Sequence, residues 1–209
     1  RQHSFRLERL EEDDAILLMR RLARHHGIDA AERADESVLR EVNARVDGHT
    51  KAIEVVIPCL KAEPLDRVLE QLPQVLAGDI RPFLEWSFKK LADEEKEFLL
   101  EISVYDGEVP HDALKAVHTL DYVAPVKELV EKNLLSFDVR RGLYDLHPLV
   151  REFAYTQLKR ERKRKLHKQA ARYFLSDKVK DPVSAIYHMY KAEDWESGIS
   201  LTSKILETL

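Results

Sequence analysis

The strongest constraint in this sequence is the helical spacing of its apolar residues, which recurs through almost the whole chain. In EEDDAILLMRRLARHHG, apolar residues repeat with helical spacing from Ala15 to Leu22, acids precede them and bases follow them, as the helix dipole favours. Similar segments follow, and the 209 residues include only 6 Gly and 8 Pro. Because turn-rich β folds need more of these residues, we expect a mainly α protein with short connections.

The first region, residues 1–78, reads as a helical bundle subdomain. ADESVLREVNARVDGH has helical spacing and ends at Gly48, a residue type that commonly terminates helices. TKAIEVVIPCLKA follows, is apolar on most sides and begins with Thr50, a residue type favoured at helix N-caps. We therefore expect this segment to form the buried central helix of the bundle.

The rest of the chain divides into two further predicted domains. Residues 79–158 contain three amphipathic segments and then LLSFDVRRGLYDLHP, in which apolar residues flank a turn at 140–142, so we predict a winged-helix domain with a small β-hairpin. Residues 159–209 alternate small and aromatic residues with helical spacing, which predicts the start of a TPR-like array of helical hairpins.

Composition limits the partners and the cellular compartment that we expect for the protein. The formal net charge of −4 gives no global attraction to nucleic acid or anionic lipid, and a single cysteine excludes a disulfide framework. The longest apolar stretch, AIEVVIPCL, is far too short to span a bilayer, and the start has no signal-peptide core. We expect a soluble cytoplasmic protein without membrane contact. Since the sequence starts at Arg1 rather than Met, we expect a fragment of a longer protein.

No pattern for stand-alone catalysis is present. The sequence contains no GxxxxGK[ST] phosphate loop, no GxSxG nucleophile elbow, no HExxH and no CxxC. Nine histidines raise the question of a metal, but neighbours such as His25 and His26 would point about 100° apart on a helix. A thiolate at Cys59 would be costly in an apolar helix. We predict no catalytic residues, no metal site and no cofactor for this chain alone.

A winged helix raises the alternative of DNA binding. The helix before the hairpin offers Lys127 and Lys132, but two glutamates between them make this face neutral, and the turn offers Arg140 and Arg141 for backbone phosphates. The basic run LKRERKRKLHK is interpreted as a solvated helix face, because one helix spreads its charges around its axis.

The order of these motifs resembles the C-terminal part of the nucleotide-switch module in STAND-class signal-transduction ATPases, particularly microbial members of the maltose-regulator type. VNARVDGHTKAIEVV is similar to the stretch that carries the family's GxPLAL motif. VKELVEKNLL resembles a winged-helix segment, YDLHPLVREFA resembles the MHDLV..FA segment, and YHMYKAEDWESGISL is similar to the helical repeat that follows. The family's P-loop domain precedes these segments and is missing here.

The resemblance implies roles for three residues. His147 matches the family histidine that contacts the β-phosphate of bound ADP, and Gly48 matches the first position of GxP. Thr50 stands where the family proline packs against adenine, and Lys51 replaces an apolar residue. The structural alternatives are that His147 caps or packs the strand–helix junction and that Thr50 caps its helix.

The resemblance also implies a function. The chain would be a regulatory and interaction module whose helical and winged-helix subdomains clamp ADP or ATP held by the missing P-loop domain. The helical repeats would then bind a protein partner or a ligand. The alternative is a winged-helix DNA-binding transcriptional regulator.

Overall fold

The protein is described from a computed structural model, which covers residues 9–73, 79–118 and 121–207. Within these ranges the chain forms helices and three short strands. Before the sheet come α1 Glu12–His26, α2 Asp29–Glu32, α3 Glu36–Val46, α4 Thr50–Cys59, α5 Leu65–Gln71, α6 Arg81–Lys89 and α7 Asp93–Ile102. There follow β1 Val109–Pro110, α8 His111–Val117, α9 Val123–Glu131, β2 Ser136–Asp138, β3 Leu143–Asp145, α10 Pro148–Gln157, α11 Arg160–Phe174, α12 Pro182–Lys191 and α13 Trp195–Leu206.

Two compact units divide the chain. Unit 1 comprises residues 1–91 and 131–134, and unit 2 comprises residues 92–130 and 135–209. The prediction of a mainly α fold with a small sheet is confirmed. The three domain ranges inferred from the sequence stay a prediction.

Unit 1 is organised around α4, which packs against α1 and α3. Ile53, Val56 and Ile57 of α4 are completely buried, as the apolar composition of this helix predicts. Helix α1, the first helix of the unit, ends at Gly27, whose φ of 65° is left-handed and whose N–H donates to the Arg24 carbonyl. Glycine adopts this conformation without the steric cost of a side chain, which is why the helix ends there.

Unit 2 contains the antiparallel sheet, with strand order β1–β3–β2. The β2–β3 hairpin agrees with the predicted one: Phe137 lies opposite Tyr144 and their rings stack with centroids 4.5 Å apart. At the turn, the Asp138 carboxylate accepts the N–H groups of Arg140 and Arg141. Strand β1, at Val109–Pro110, was not predicted, because two residues are too few to show strand alternation.

The last helices of unit 2 pack on one another in chain order, since α11 packs against α8 and α12, and α12 packs against α13. Ala170, Ala171 and Ala185 are buried and allow close approach between α11 and α12. Helix α13 differs from the others because none of its described residues is buried. Its apolar side chains Trp195, Ile199 and Leu206 remain exposed.

Candidate functional site

Gly48 lies in the turn between α3 and α4, in unit 1, and the backbone there requires a glycine. Asp47 and Gly48 have φ values of 53° and 64°, and the Gly48 carbonyl accepts the Leu10 N–H at 3.0 Å. A Cβ on Gly48 would lie only 2.5 Å from the Leu10 carbonyl oxygen. Close packing of two backbone segments therefore explains the glycine at this position.

Thr50 does not cap α4, so the predicted cap is wrong. The N-cap position belongs to His49, and Thr50 is the first helical residue, with an exposed side chain. The helix begins one residue earlier than the cap preference implies because the Ile53 N–H bonds to the His49 carbonyl. Arg9 and Asp47 form an ion pair beside this turn, and burial lowers the pKa of His49. Thr50 thus lies exposed at the start of α4, directly after His49.

His147 occupies the N-cap of α10 in unit 2, directly after the hairpin. Its Nδ1 accepts the Leu149 N–H at 3.3 Å, Pro148 holds the first helical position, and the His147 side chain is exposed. The capping alternative is therefore realised. A neutral imidazole that accepts at Nδ1 carries its proton on Nε2, so the cap also fixes His147 as an N–H donor at that nitrogen.

Lys51 stands at the centre of a buried hydrogen-bond network. The sequence did not predict this network, since it shows only that Lys51 replaces an apolar residue. Lys51 is 8% exposed, and its Nζ donates to Glu54 at 2.9 Å and to the Asn133 carbonyl at 2.7 Å. The Asn133 amide in turn donates to the Glu54 carbonyl at 2.8 Å, and Asn133 has a φ of 54°. This network holds residues 131–134 against α4 within unit 1. No local pattern reveals it, because its members lie some 80 positions apart.

The four cations of the DNA alternative are largely engaged within the chain. Arg141 is paired with Glu108, with nitrogen–oxygen distances of 2.6 and 2.7 Å. Lys127 and Lys132 each take part in interactions of their own. Lys132 belongs to unit 1, whereas Lys127, Arg140 and Arg141 belong to unit 2.

Three further features bear on chemistry. Burial raises the pKa of the Cys59 thiol to about 11, so the thiol is unreactive near neutral pH. Among residues 9–73, 79–118 and 121–207, no group of three or more His, Cys, Asp or Glu side chains is arranged to hold a metal ion. Nor does any helix in the same ranges combine the length and apolarity needed to cross a membrane.

A fold likeness to one solved structure covers nearly the whole chain. That structure is a Signal Transduction ATPase with Numerous Domains (STAND) protein with a tetratricopeptide repeat sensor from Pyrococcus horikoshii, with a TM-score of 0.69 and 17% sequence identity. The likeness covers 94% of this chain but 27% of the archaeal one, so this chain spans about a quarter of that protein's length. At this identity the likeness establishes the fold. No protein-family model and no curated protein matches the sequence.

Proposed function

We propose that this chain is the regulatory and interaction module of a STAND-type signalling ATPase. Its helical unit and its hairpin-containing unit would contribute contacts to ADP or ATP held by a separate P-loop domain. The helices after residue 159 would bind a protein partner or a ligand. The observation that carries this proposal is the fold likeness to a STAND protein over 94% of the chain.

His147 is the residue that we assign to the nucleotide. Its side chain is exposed at a helix N-terminus, where the helix dipole favours an anion. Its Nδ1 acts as the cap acceptor, which leaves the proton on Nε2, and an N–H at that nitrogen can donate to a phosphate oxygen. This donor role needs no further change of tautomer.

Gly48 and Thr50 have a lesser role in the proposal. Gly48 shapes the α3–α4 turn through its contact with Leu10, and Thr50 supplies an exposed hydroxyl at the start of α4. A nucleotide contact at this turn would involve Thr50 rather than the buried glycine. Binding in the complete protein would act by population shift, with ADP favouring the arrangement in which His147 reaches its phosphate.

We assign no reaction to this chain by itself. A P-loop lysine and metal-binding acids are absent from its sequence, and both are needed to hold a triphosphate. The DNA-binding alternative is not favoured, because Arg141 is paired with Glu108 and both lysines already have interactions within the chain.

The first test is the coding sequence upstream of Arg1. We expect a strand, a GxxxxGK[ST] loop and a helix to be encoded there. A reading frame without such a unit would remove the basis of the proposal.

The second test separates the cap from the ligand contact in the full-length product. His147→Asn preserves an N-cap acceptor but lacks the imidazole Nε2–H, whereas His147→Ala loses both. We expect both variants to bind ADP at least about tenfold more weakly, since a hydrogen bond to a charged group contributes roughly 1.5–3 kcal/mol. Only His147→Ala should also lower the melting temperature. Unchanged ADP affinity in His147→Asn would reduce His147 to a helix cap.

A further inference from the structure

Helix α11 carries two kinds of cation. The arginines at its N-terminal end are held by other parts of unit 2: Arg160 by the Glu193 carboxylate, Arg162 by Glu97 and Glu101 of α7, and Arg164 by the Ala192 carbonyl. These contacts contribute to the packing of the helix on its neighbours. They account for only part of its positive charge.

Lys163 lies over the Tyr155 ring, with its Nζ 4.2 Å from the ring centroid. The remaining three cations form what we call the basic face, which consists of Lys165, Lys168 and Arg172. All three are exposed, and within the described residues none of them has a hydrogen bond or an ion pair. Steps of three and four residues place them on one side of the helix, with axial separations of about 4.5 and 6 Å. They border a shallow depression of about 420 Å³, which also includes Arg164, Gln169 and the single acid Glu161.

The grouping of these like charges does not stabilise α11 itself. Like charges three and four residues apart on a helix repel one another. The chain has 38 acidic residues and 34 basic ones, and elsewhere it places carboxylates next to exposed arginines such as Arg160. Within the described residues, no carboxylate lies within 4.0 Å of Lys165, Lys168 or Arg172.

The surroundings argue against a lipid or a base-stacking partner. The opposite side of α11 is buried through Leu166 and Ala170, so the helix cannot insert an apolar face into a bilayer. The six residues that line the depression include no aromatic side chain on which a nucleic acid base would stack.

One cation of the same helix already binds carboxylates of another helix. Arg162 binds two carboxylates that lie four residues apart on α7, Glu97 and Glu101, the latter at 2.9 Å. An acidic helix repeats its carboxylates with the same axial steps as the lysines and the arginine of the basic face. The partner's carboxylates would therefore match these cations in spacing as well as in charge.

We propose that the basic face of α11 docks an acidic helix of a partner protein, with carboxylates spaced three and four residues apart. This inference rests on the part of the proposed function that assigns partner binding to the helices after residue 159. It is independent of the nucleotide contact at His147.

The probe is a labelled helical peptide of about 18 residues, Ala-based, with Glu at positions that match the basic face. Binding to the chain is followed by fluorescence anisotropy at low salt. We expect the triple variant Lys165→Glu, Lys168→Glu and Arg172→Glu to bind at least about tenfold more weakly, because three exposed ion pairs are replaced by repulsion. A peptide with Gln in place of Glu should lose binding to the same extent. Salt should weaken the wild-type complex, since these charges are exposed to screening.

The matched control reverses three exposed cations outside the basic face, Arg21, Lys89 and Lys159. This variant should bind the peptide like the wild type, and circular dichroism should show unchanged helix content in both triple variants. The inference is overturned if the wild type does not bind the peptide at about 1 mM, or if both triple variants bind it equally.

Two further probes distinguish other partners. Tighter binding of a DNA duplex or of anionic vesicles than of the Glu peptide, lost in the basic-face variant, would assign this surface to nucleic acid or lipid and overturn the proposal. The outcome is also separable from the proposed function. Peptide binding without an upstream P-loop leaves this inference intact, and ADP binding through His147 without peptide binding removes only this inference.

Discussion

A buried pair of histidines makes the stability of the α11–α12 hairpin depend on pH. His167 and His188 are 1% and 2% exposed, and their Nδ1 atoms lie 2.8 Å apart. A hydrogen bond at this distance needs one ring to donate and the other to accept, so both rings cannot be protonated at Nδ1 while it persists. Tyr155 contacts His167 Nε2 at 3.1 Å, and Phe174 stacks on His188. The folded pair of helices α11 and α12 is therefore incompatible with protonation of both His167 and His188.

Both pKa values are lowered from the ordinary 6.5. Burial lowers the pKa of His188 to about 4, against a small opposing effect of Asp106. Burial is also the main cause for His167, whose pKa falls further because of His188, Lys191 and Lys163. Between pH 6.5 and about 4 the unfolded chain thus binds more protons than the folded one, and the stability falls as the pH falls. At pH 7 and above, the stability from this source is fully present.

The expected loss is large. For each ring that stays neutral in the fold, the free energy of unfolding falls by about 1.4 kcal/mol for every pH unit below 6.5. At pH 5 the loss is therefore about 2 kcal/mol for each ring and about 4 kcal/mol for the pair. Carboxylates with lowered pKa values, such as Glu97, titrate from an ordinary value of 4.5 downward and add little above pH 5. The window from pH 7 to pH 5 therefore isolates the histidines.

Hydrogen exchange of peptides from α11 and α12, measured in urea at pH 7, 6 and 5, gives the opening free energy of this hairpin. The double variant His167→Leu and His188→Leu leaves no buried ring nitrogen unpaired, and we expect it to lose most of the pH dependence. His25→Leu, at an exposed position, should retain the wild-type slope. A wild-type loss below about 1 kcal/mol between pH 7 and pH 5, or an equal loss in the double variant, would refute the reasoning.

Two further predictions concern unit 1, each measured as the change in free energy of urea unfolding. Gly48→Ala should destabilise the unit by about 2–4 kcal/mol, because it combines a left-handed backbone with a Cβ placed 2.5 Å from the Leu10 oxygen. The control Gly27→Ala also has a left-handed φ, of 65°, but no atom lies within 4 Å of its added Cβ, so it should cost only about 1 kcal/mol. Equal costs would show that Leu10 can move away. Lys51→Met should cost about 1–3 kcal/mol, because it leaves the Asn133 carbonyl without its donor. The control Lys61→Met removes the exposed ion pair with Glu131 and should cost less than about 1 kcal/mol. The reverse order of these costs would contradict the Lys51 network.

The helices were predictable because their signals are local. Gly27 ends α1, Pro148 opens α10, and the apolar composition of TKAIEVVIPCLKA marks a buried helix, and each of these features lies within a few residues of the structure that it determines. The hairpin was predictable for the same reason, since its turn at 140–142 stands between two short apolar runs.

What the sequence left open depends on contacts between distant segments. His167 and His188 are 21 residues apart on different helices, and nothing in either segment marks them as partners. Gly48 looks like a helix terminator or a motif glycine, yet Leu10 decides its role. Local spacing gives the elements, whereas the partners of buried polar groups depend on the packing of those elements.

The same distinction clarifies the candidate site. His147 had two interpretations, a cap and a phosphate contact, and the structure makes them compatible rather than competing. The ring uses Nδ1 for the Leu149 N–H, and because of that bond its proton lies on Nε2, the nitrogen that a phosphate would need. A cap that merely stabilised α10 would work as well with Asn or Asp, which are stronger N-cap residues than His. Comparing His147→Asn with His147→Ala therefore tests whether the imidazole at this position is needed for ADP or only for the cap.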